Sequence, residues 1–418
     1  MDIQRLLKGI PNCACGRNHS CETDAVLIGS GVLSGIAGLC VGYDRILLVA
    51  DQNTYASCGR EVETLLGDKV CGLVLYQTGN APLIPNESAL DTLKSYVTED
   101  TQLIIGIGSG VINDLCKQIS FVNDLPYFIV ATAPSMDGYT SVGSALILKG
   151  MKITLGARPP KAVIADTKVL CRAPLEMIQA GIGDILGKHS CLNDWKLSAL
   201  INGEYFCETV CEIVYDAVKT VEKLAEAAVN REENALCALM EALVAVGFAM
   251  SYVGNSRPAS GSEHHLSHYF EITGILDQTP YFSHGIDVIY SSVVTAALRE
   301  KICAAEKPKP FIFNREDWED QIQRIYSTSA EEVINLQNKL GWYEKDEYSM
   351  ICEKWDSIRS LLRTAPTEAE MLRMLRRTGL SYDSFLSLYG RNKIDDGIRY
   401  AKDLKDRYSV LWLAYFYC

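Results

Sequence analysis

The chain has 418 residues, 40 basic and 52 acidic side chains and a formal charge of −12; 48% of it is hydrophobic and 22% charged. This is an ordinary globular composition, and the length points to two domains. A net acidic chain disfavours unspecific binding to nucleic acid or an anionic membrane, so neither is expected as a partner, and cations for an anionic substrate must be local.

Fifteen cysteines are scattered along the chain. The opening MDIQRLLKGIPNC has no apolar signal-peptide core, so the thiols read as reduced and the protein as cytoplasmic. Within this first segment, CACGRNHSC (13–21) has the look of a small metal knuckle formed by Cys13, Cys15, His19 and Cys21. Its C-x-C start is tighter than the usual structural-zinc spacing, and no second ligand half follows nearby. An ordered cysteine-rich arm over 1–24 is the expectation.

The uncharged run AVLIGSGVLSGIAGLCVGY (25–43) holds five glycines, so a strand, a turn and a buried helix fit it better than a membrane span. From there to about 165 the chain alternates. Short β-branched runs (26–29, 45–51, 70–77, 103–108 and 126–134) are separated by helical patterns at 57–67, 86–97 and 111–122. Such βαβα periodicity predicts a mostly parallel sheet covered on both faces. SALILKGMKITLG (144–156) reads as a strand–turn–strand excursion with Lys149–Gly150 at the bend, and 161–170 as a last strand and its exit. Beyond 173 the apolar spacing is helical. The expected organisation is therefore an α/β Rossmann-like nucleotide-binding domain over 25–172 and an all-α domain over 173–418. Ligands of open α/β sheets sit at the carboxyl ends of the strands, so a cleft facing the helical domain is the expected active site.

Chemistry gathers in three places. GIGSGVIND (106–114) follows a strand and opens a helix, as phosphate-binding turns do, although packing alone also favours glycine there. TAPSMDGYTS (132–141) ends the next strand and adds hydroxyls and the Asp137 carboxylate; turn chemistry would use the same residue types. GSEHHLSHYFE (261–271) then crowds three of the six histidines into five positions. On a helix, His264 and His268 share a face and His265 points away. His284 follows sixteen residues later, and Asp184 lies in an otherwise apolar helical stretch upstream. One carboxylate and two imidazoles from separate helices would form a three-ligand metal site with open positions, where a structural zinc would be closed by four; histidines satisfied in the core or at the surface are the alternative.

ADQNTY (50–55), GSGVIND, TAPSMDGYTS, AGIGDILGK and SRPASGSEHHLSH, in this order, resemble the sn-glycerol-1-phosphate dehydrogenases of the iron-containing alcohol dehydrogenase, glycerol dehydrogenase and dehydroquinate synthase superfamily. The resemblance spans roughly 20–290. It implies a dehydroquinate synthase-like fold, NAD or NADP, and one divalent metal (zinc, nickel or iron). It implies that Gly110, Val111, Ile112, Asn113 and Asp114 hold the dinucleotide phosphates. Thr132, Ala133, Pro134 and Ser135, with Ser141, would line the nicotinamide half, and Asp51 would lie near the cofactor. Asp184, His264 and His284 would bind the metal; Asp137, Asp184 and His268 would touch substrate, leaving His265 an exposed bystander. Val111 stands where threonine is common, which puts one hydroxyl contact in doubt. The implied reaction is reversible reduction of dihydroxyacetone phosphate, a small phosphorylated ketone, to sn-glycerol 1-phosphate, with Arg257 and Lys188 as candidate cations for its phosphate. The alternatives are a glycerol or other polyol dehydrogenase, a dehydroquinate synthase-like lyase, or a non-catalytic relative. A homodimer is expected, with the amphipathic helices of 349–380 either capping the helical domain or forming the dimer face.

Overall fold

A computed structural model describes residues 1–79, 81–148, 151–310 and 312–417. The chain groups into two compact units: residues 1–185 with 212–256, and residues 186–211 with 257–418. The sequence reading divides the chain at 172/173; here residues 173–185 and 212–256 also go with the sheet.

The first unit is built on a six-stranded parallel sheet: β1 (Ala25–Gly29), β2 (Ile46–Asp51), β3 (Val70–Tyr76), β4 (Leu103–Gly108), β5 (Tyr127–Ala131) and β8 (Ala162–Asp166). Its order is β1-β8-β5-β4-β2-β3. The central strands are buried on both faces, which is why ILLVAD, LIIGIG, YFIVA and AVIAD are almost unbroken apolar runs. The edge strand β1 is only partly buried. Leu48, Ile105, Val130 and Ile164 from four strands meet Leu33 and Ile36 of the stretch after β1 in one core. That stretch is a turn and a short helix, as read from the uncharged run. The Asp166 carboxylate ties the GSG turn to the end of β8, accepting from the amides of Gly31 (3.2 Å) and Leu33 (3.1 Å).

The predicted helices form at Glu87–Tyr96 and Gly110–Val122. The 57–67 pattern starts earlier, at Gln52, and passes through a wide π-type turn at Tyr55–Gly59 before Arg60–Leu66. β6 (Gly143–Leu148) and β7 (Met151–Gly156) pair antiparallel as the predicted excursion, while the Lys149–Gly150 bend lies outside the described residues. One helix, Glu233–Val253, is long and apolar enough to cross a membrane by length and composition alone. Most of its residues are buried, and a core helix passes the same test.

The second unit is helical. Ser262–Asp277, His284–Ala304 and Lys188–Asn202 pack on one another. Tyr348–Leu362 lies against the last two of these and Glu368–Arg377 against His284–Ala304, so the amphipathic C-terminal helices cap the unit with Ile351, Trp355, Ile358 and Leu362 buried. None of the described cysteines is in a disulfide.

Candidate functional site

Strand order reverses between β2, whose successor β3 pairs on one side, and β4, which pairs on the other. Open sheets bind ligands outside the carboxyl ends of the strands at such a switch point. Asp51 ends β2, half-buried, and its carboxylate accepts from the amides of Asn53 (2.7 Å) and Thr54 (3.0 Å). Gly106 and Gly108 serve packing. A Cβ there would come 2.9 Å from Cys116 Sγ and 2.6 Å from Ile112 Cβ, so these glycines let the Gly110–Val122 helix lie close on β4. At Gly110 an added Cβ would meet only Met136, at 3.4 Å.

Ser109 precedes that helix without capping it. Its hydroxyl is drawn instead to the Ser135 hydroxyl and accepts from Tyr139 Oη (3.3 Å). The first-turn amides of Gly110, Val111 and Ile112 therefore have no side-chain cap, which suits an anion. The Asn113 amide is already bonded to Ser109 O (2.9 Å). The Asn113 side chain is buried, with Nδ2 3.4 Å from Gly138 O, and Asp114 is mostly buried.

The loop 132–141 is held from several sides, which a plain turn would not need. Thr132, Ala133, Pro134, Asp137 and Ser141 are buried, and Ser135 is partly so. Lys117, a buried cation that sequence reading missed, donates to Gly138 O (2.7 Å), Gly143 O (3.0 Å) and Ser141 Oγ (3.0 Å). Burial pulls its ammonium down to about 8 against the pull of Asp114 and Asp137. Burial likewise raises Asp114 to about 6, opposed chiefly by Lys117, 3.9 Å away. The signal for Lys117 in the sequence was its i, i+3 spacing from Asp114 on the predicted helix. Below the loop, a Cβ at Gly181 would collide with Pro134 O, and one at Gly247 would lie 2.9 Å from Asp137 O. Thr140 Oγ1 donates to Val244 O (2.8 Å). The Asp137 amide donates to Asp184 Oδ2 (3.0 Å), so these two candidate residues meet, with Asp184 fully buried.

In the second unit the Ser262–Asp277 helix carries His264 and His268 one turn apart, as the spacing predicts. Its start is anchored by Asp194, whose Oδ2 accepts from the Ser262 amide (2.7 Å) and whose Oδ1 accepts from the Val410 amide (2.9 Å). Only glycine fits at 261, where a Cβ would stand 2.6 Å from Cys191 Cα. His264 Nδ1 lies 2.7 Å from Glu263 Oε1. Burial works against ionisation of Glu263, but the hydrogen bond from His264, the Gly261 amide and the charge of Lys188 bring its carboxyl below the usual range. A carboxylate only accepts, so Nδ1 carries the proton and Nε2 presents a lone pair.

His284 is oriented the same way. Ser267 Oγ donates to His284 O (3.2 Å) and lies 3.3 Å from Nδ1, which leaves the hydroxyl oxygen to accept from Nδ1–H. The two rings are 5.1 Å apart between centroids, with donor nitrogens within 4.8 Å of each other. The His268 ring stands 5.4 Å from His284 and 6.2 Å from His264. Glu263, which sequence reading passed over, is thus the residue that sets the His264 tautomer; its only signal was adjacency to the histidines.

Two expectations are corrected. His265 is fully buried, not exposed, and burial, then the charges of Lys405, Arg407 and Arg257, push its imidazole well below the ordinary value. The cause is helix packing on every side: the face opposite the His264–His268 pair is also interior. Arg257 is a structural cation, not a free phosphate ligand. It is buried, paired with Glu204 (2.9 Å), and donates to Tyr408 O (2.7 Å) and Asp194 O (3.3 Å). Lys188 is also buried, within electrostatic reach of Glu263.

Residues 27–174 match the family described as iron-containing alcohol dehydrogenase. An alcohol dehydrogenase from an archaeal halo-thermophilic Red Sea brine pool superposes with a TM-score of 0.60 at 15% identity, over 91% of each chain. Glycerol dehydrogenase from Schizosaccharomyces pombe does so with a TM-score of 0.54 at 20% identity, over 86% of this chain and 92% of its own. The fold is that of the iron-containing alcohol and glycerol dehydrogenases: a parallel α/β nucleotide-binding part followed by a helical part.

Sequence similarity is higher to curated proteins named glycerol-1-phosphate dehydrogenase [NAD(P)+]. That of Methanosarcina mazei is 34% identical over 75% of this chain and 84% of its own. That of Geobacillus thermodenitrificans is 32% identical over 70% and 74%, and that of Halalkalibacterium halodurans 29% over 96% and 94%. The chain belongs to the glycerol-1-phosphate dehydrogenase family.

Proposed function

We propose that this protein reduces dihydroxyacetone phosphate reversibly to sn-glycerol 1-phosphate, using NADH or NADPH and one divalent metal held by Asp184, His264 and His284. The observation that carries the reading is the fixed tautomer of both histidines. Glu263 and Ser267 hold the two Nδ1 positions, which supports Nε2 of each ring as the coordinating nitrogen. One carboxylate with two neutral imidazoles suits zinc, nickel or iron(II). Bound there by Asp184, His264 and His284, the metal would supply Lewis-acid polarisation of the ketone, and the nicotinamide would supply the hydride.

The chain's own residues position and protonate. The amides of Gly110, Val111 and Ile112 bind the pyrophosphate, with Asn113 and Asp114 continuing that turn. Asp51 lies by the cofactor, and Thr132, Ala133, Pro134, Ser135 and Ser141 line the nicotinamide half on the braced loop. Asp137 orients the substrate hydroxyl. His268 moves a proton to the C2 oxygen of the product, directly or through water. Lys188 supplies the charge for the substrate phosphate. The enzyme acts in the cytoplasm as a homodimer, the latter checked by light scattering.

The test is dihydroxyacetone phosphate-dependent loss of NADH or NADPH absorbance, with protein stripped by chelator and resupplied with zinc, nickel or iron(II). Activity restored by one of these metals supports the reading. No turnover with any metal despite cofactor binding, or preference for glycerol, overturns it.

A further inference from the structure

The turn that opens the Gly110–Val122 helix carries a serine at the position where helices are capped. Ser109 stands at the N-cap, and a serine there ordinarily turns its hydroxyl onto the amide of the second or third helical residue. Here it does not. Its carbonyl accepts from the Asn113 amide (2.9 Å), so the helix starts in the regular way, but its hydroxyl makes no capping bond to Val111 or Ile112.

Side chains of the 132–141 loop engage that hydroxyl instead. Ser109 Oγ is hydrogen-bonded to Ser135 Oγ and lies 3.3 Å from Tyr139 Oη. Tyr139 is fully buried and donates to Ala133 O (2.6 Å), which fixes its ring beside the two serines. The Thr132 amide donates to Gly108 O (3.1 Å) and brings the start of the loop alongside the turn. All of these residues belong to the sheet-bearing unit.

We propose that Ser135 holds the Ser109 hydroxyl away from the helix start, and that this leaves the amides of Gly110, Val111 and Ile112 to the cofactor pyrophosphate. Ser135 is then a positioning residue that acts through Ser109, a role separate from any contact with the nicotinamide. The inference rests on the reading that this turn binds the dinucleotide phosphates. A serine cap occupies a first-turn amide, and a phosphate must displace it to bind there. A hydroxyl already engaged by Ser135 imposes no such displacement. The helix forgoes the stability that a cap would add, the usual trade at a site kept ready for a ligand.

Coenzyme binding and thermal unfolding of the full chain test this without any turnover. NADH and NADPH fluorescence titrations give Kd for the wild-type chain, Ser135→Ala, Ser109→Ala and the double variant. In Ser135→Ala the released hydroxyl caps the helix, and Kd should rise roughly 2- to 30-fold, the range set by the strength of a serine cap. Adding Ser109→Ala removes the competing hydroxyl and should restore the wild-type Kd, and Ser109→Ala alone should bind as the wild type does. Without coenzyme, Ser135→Ala should unfold a few degrees above the double variant, because only the single variant carries a cap. A Kd that rises in Ser135→Ala and stays high in the double variant makes Ser135 a direct coenzyme contact and overturns the inference. An unchanged Kd in Ser135→Ala overturns it too and leaves the phosphate-binding turn standing. A wild-type chain that binds neither NADH nor NADPH overturns both.

Discussion

Replacing Glu263 by Gln tests the orientation of His264 without emptying the site. Glu263 is fully buried, and one of its oxygens serves both His264 Nδ1 (2.7 Å) and the Gly261 amide (2.9 Å). Glutamine keeps the size of the side chain and an oxygen at that position, so the tautomer survives, but the negative charge that makes the imidazole more basic is lost. Charged hydrogen bonds contribute about 1.5–3 kcal/mol, and partners of metal-ligating histidines typically alter metal affinity about 10- to 100-fold. The free-metal concentration giving half-maximal activity should therefore rise about 10- to 100-fold, with little loss of rate at saturating metal. A metal-buffered activity titration reads this directly. A midpoint within about threefold of wild type, roughly 0.6 kcal/mol, would refute the role given to Glu263 and weaken the argument from the fixed tautomer.

Other perturbations address the loop and the proton. Gly181→Ala drives a methyl into Pro134 O and should cost about 1–3 kcal/mol in urea unfolding, as overpacking does, with a drop in kcat; unchanged stability would mean that the loop is not clamped there. Asp114 has its folded pKa raised from 3.8 to about 6, so its contribution is full below 3.8 and is lost as pH climbs through 6. The loss is at most about 3 kcal/mol, and Asp114→Asn should flatten stability across that window in denaturant titrations. His268→Gln should lower kcat by about 100-fold or more while leaving metal content unchanged; loss of the active-site metal would instead make His268 a ligand.

The sequence exposes features that obey a local period. Apolar runs such as LIIGIG must be buried on both faces, so β4 could be read directly, and the i, i+4 histidines named their own helix face. The bracing of those features was harder to read. Lys117 looks like any surface lysine until its ammonium is seen gripping three groups of the 138–143 segment. Asp194 holds Ser262 from 68 positions away. Gly106 and Gly108 resemble phosphate-loop glycines, but their absent side chains make room for Ile112 and Cys116. His265 was misread because helical geometry gives the angle between neighbours and not the number of faces a helix buries. What escapes a reading of one sequence is whatever depends on long-range packing, which local spacing does not encode.

The interleaving of the two units orders events in time. The last strand of the sheet ends at Asp166, so all six strands can pair before the rest of the chain exists. The loop that ends β5 must wait for its supports, because Gly181 arrives later and Gly247 later still, after a stretch belonging to the other unit has been made. During synthesis the sheet can therefore be complete while its carboxyl edge is still unbraced. A fragment cut near residue 172 would be arrested at that stage, with the strands formed and the segment carrying Asp137 lacking both of its glycine-bearing backstops.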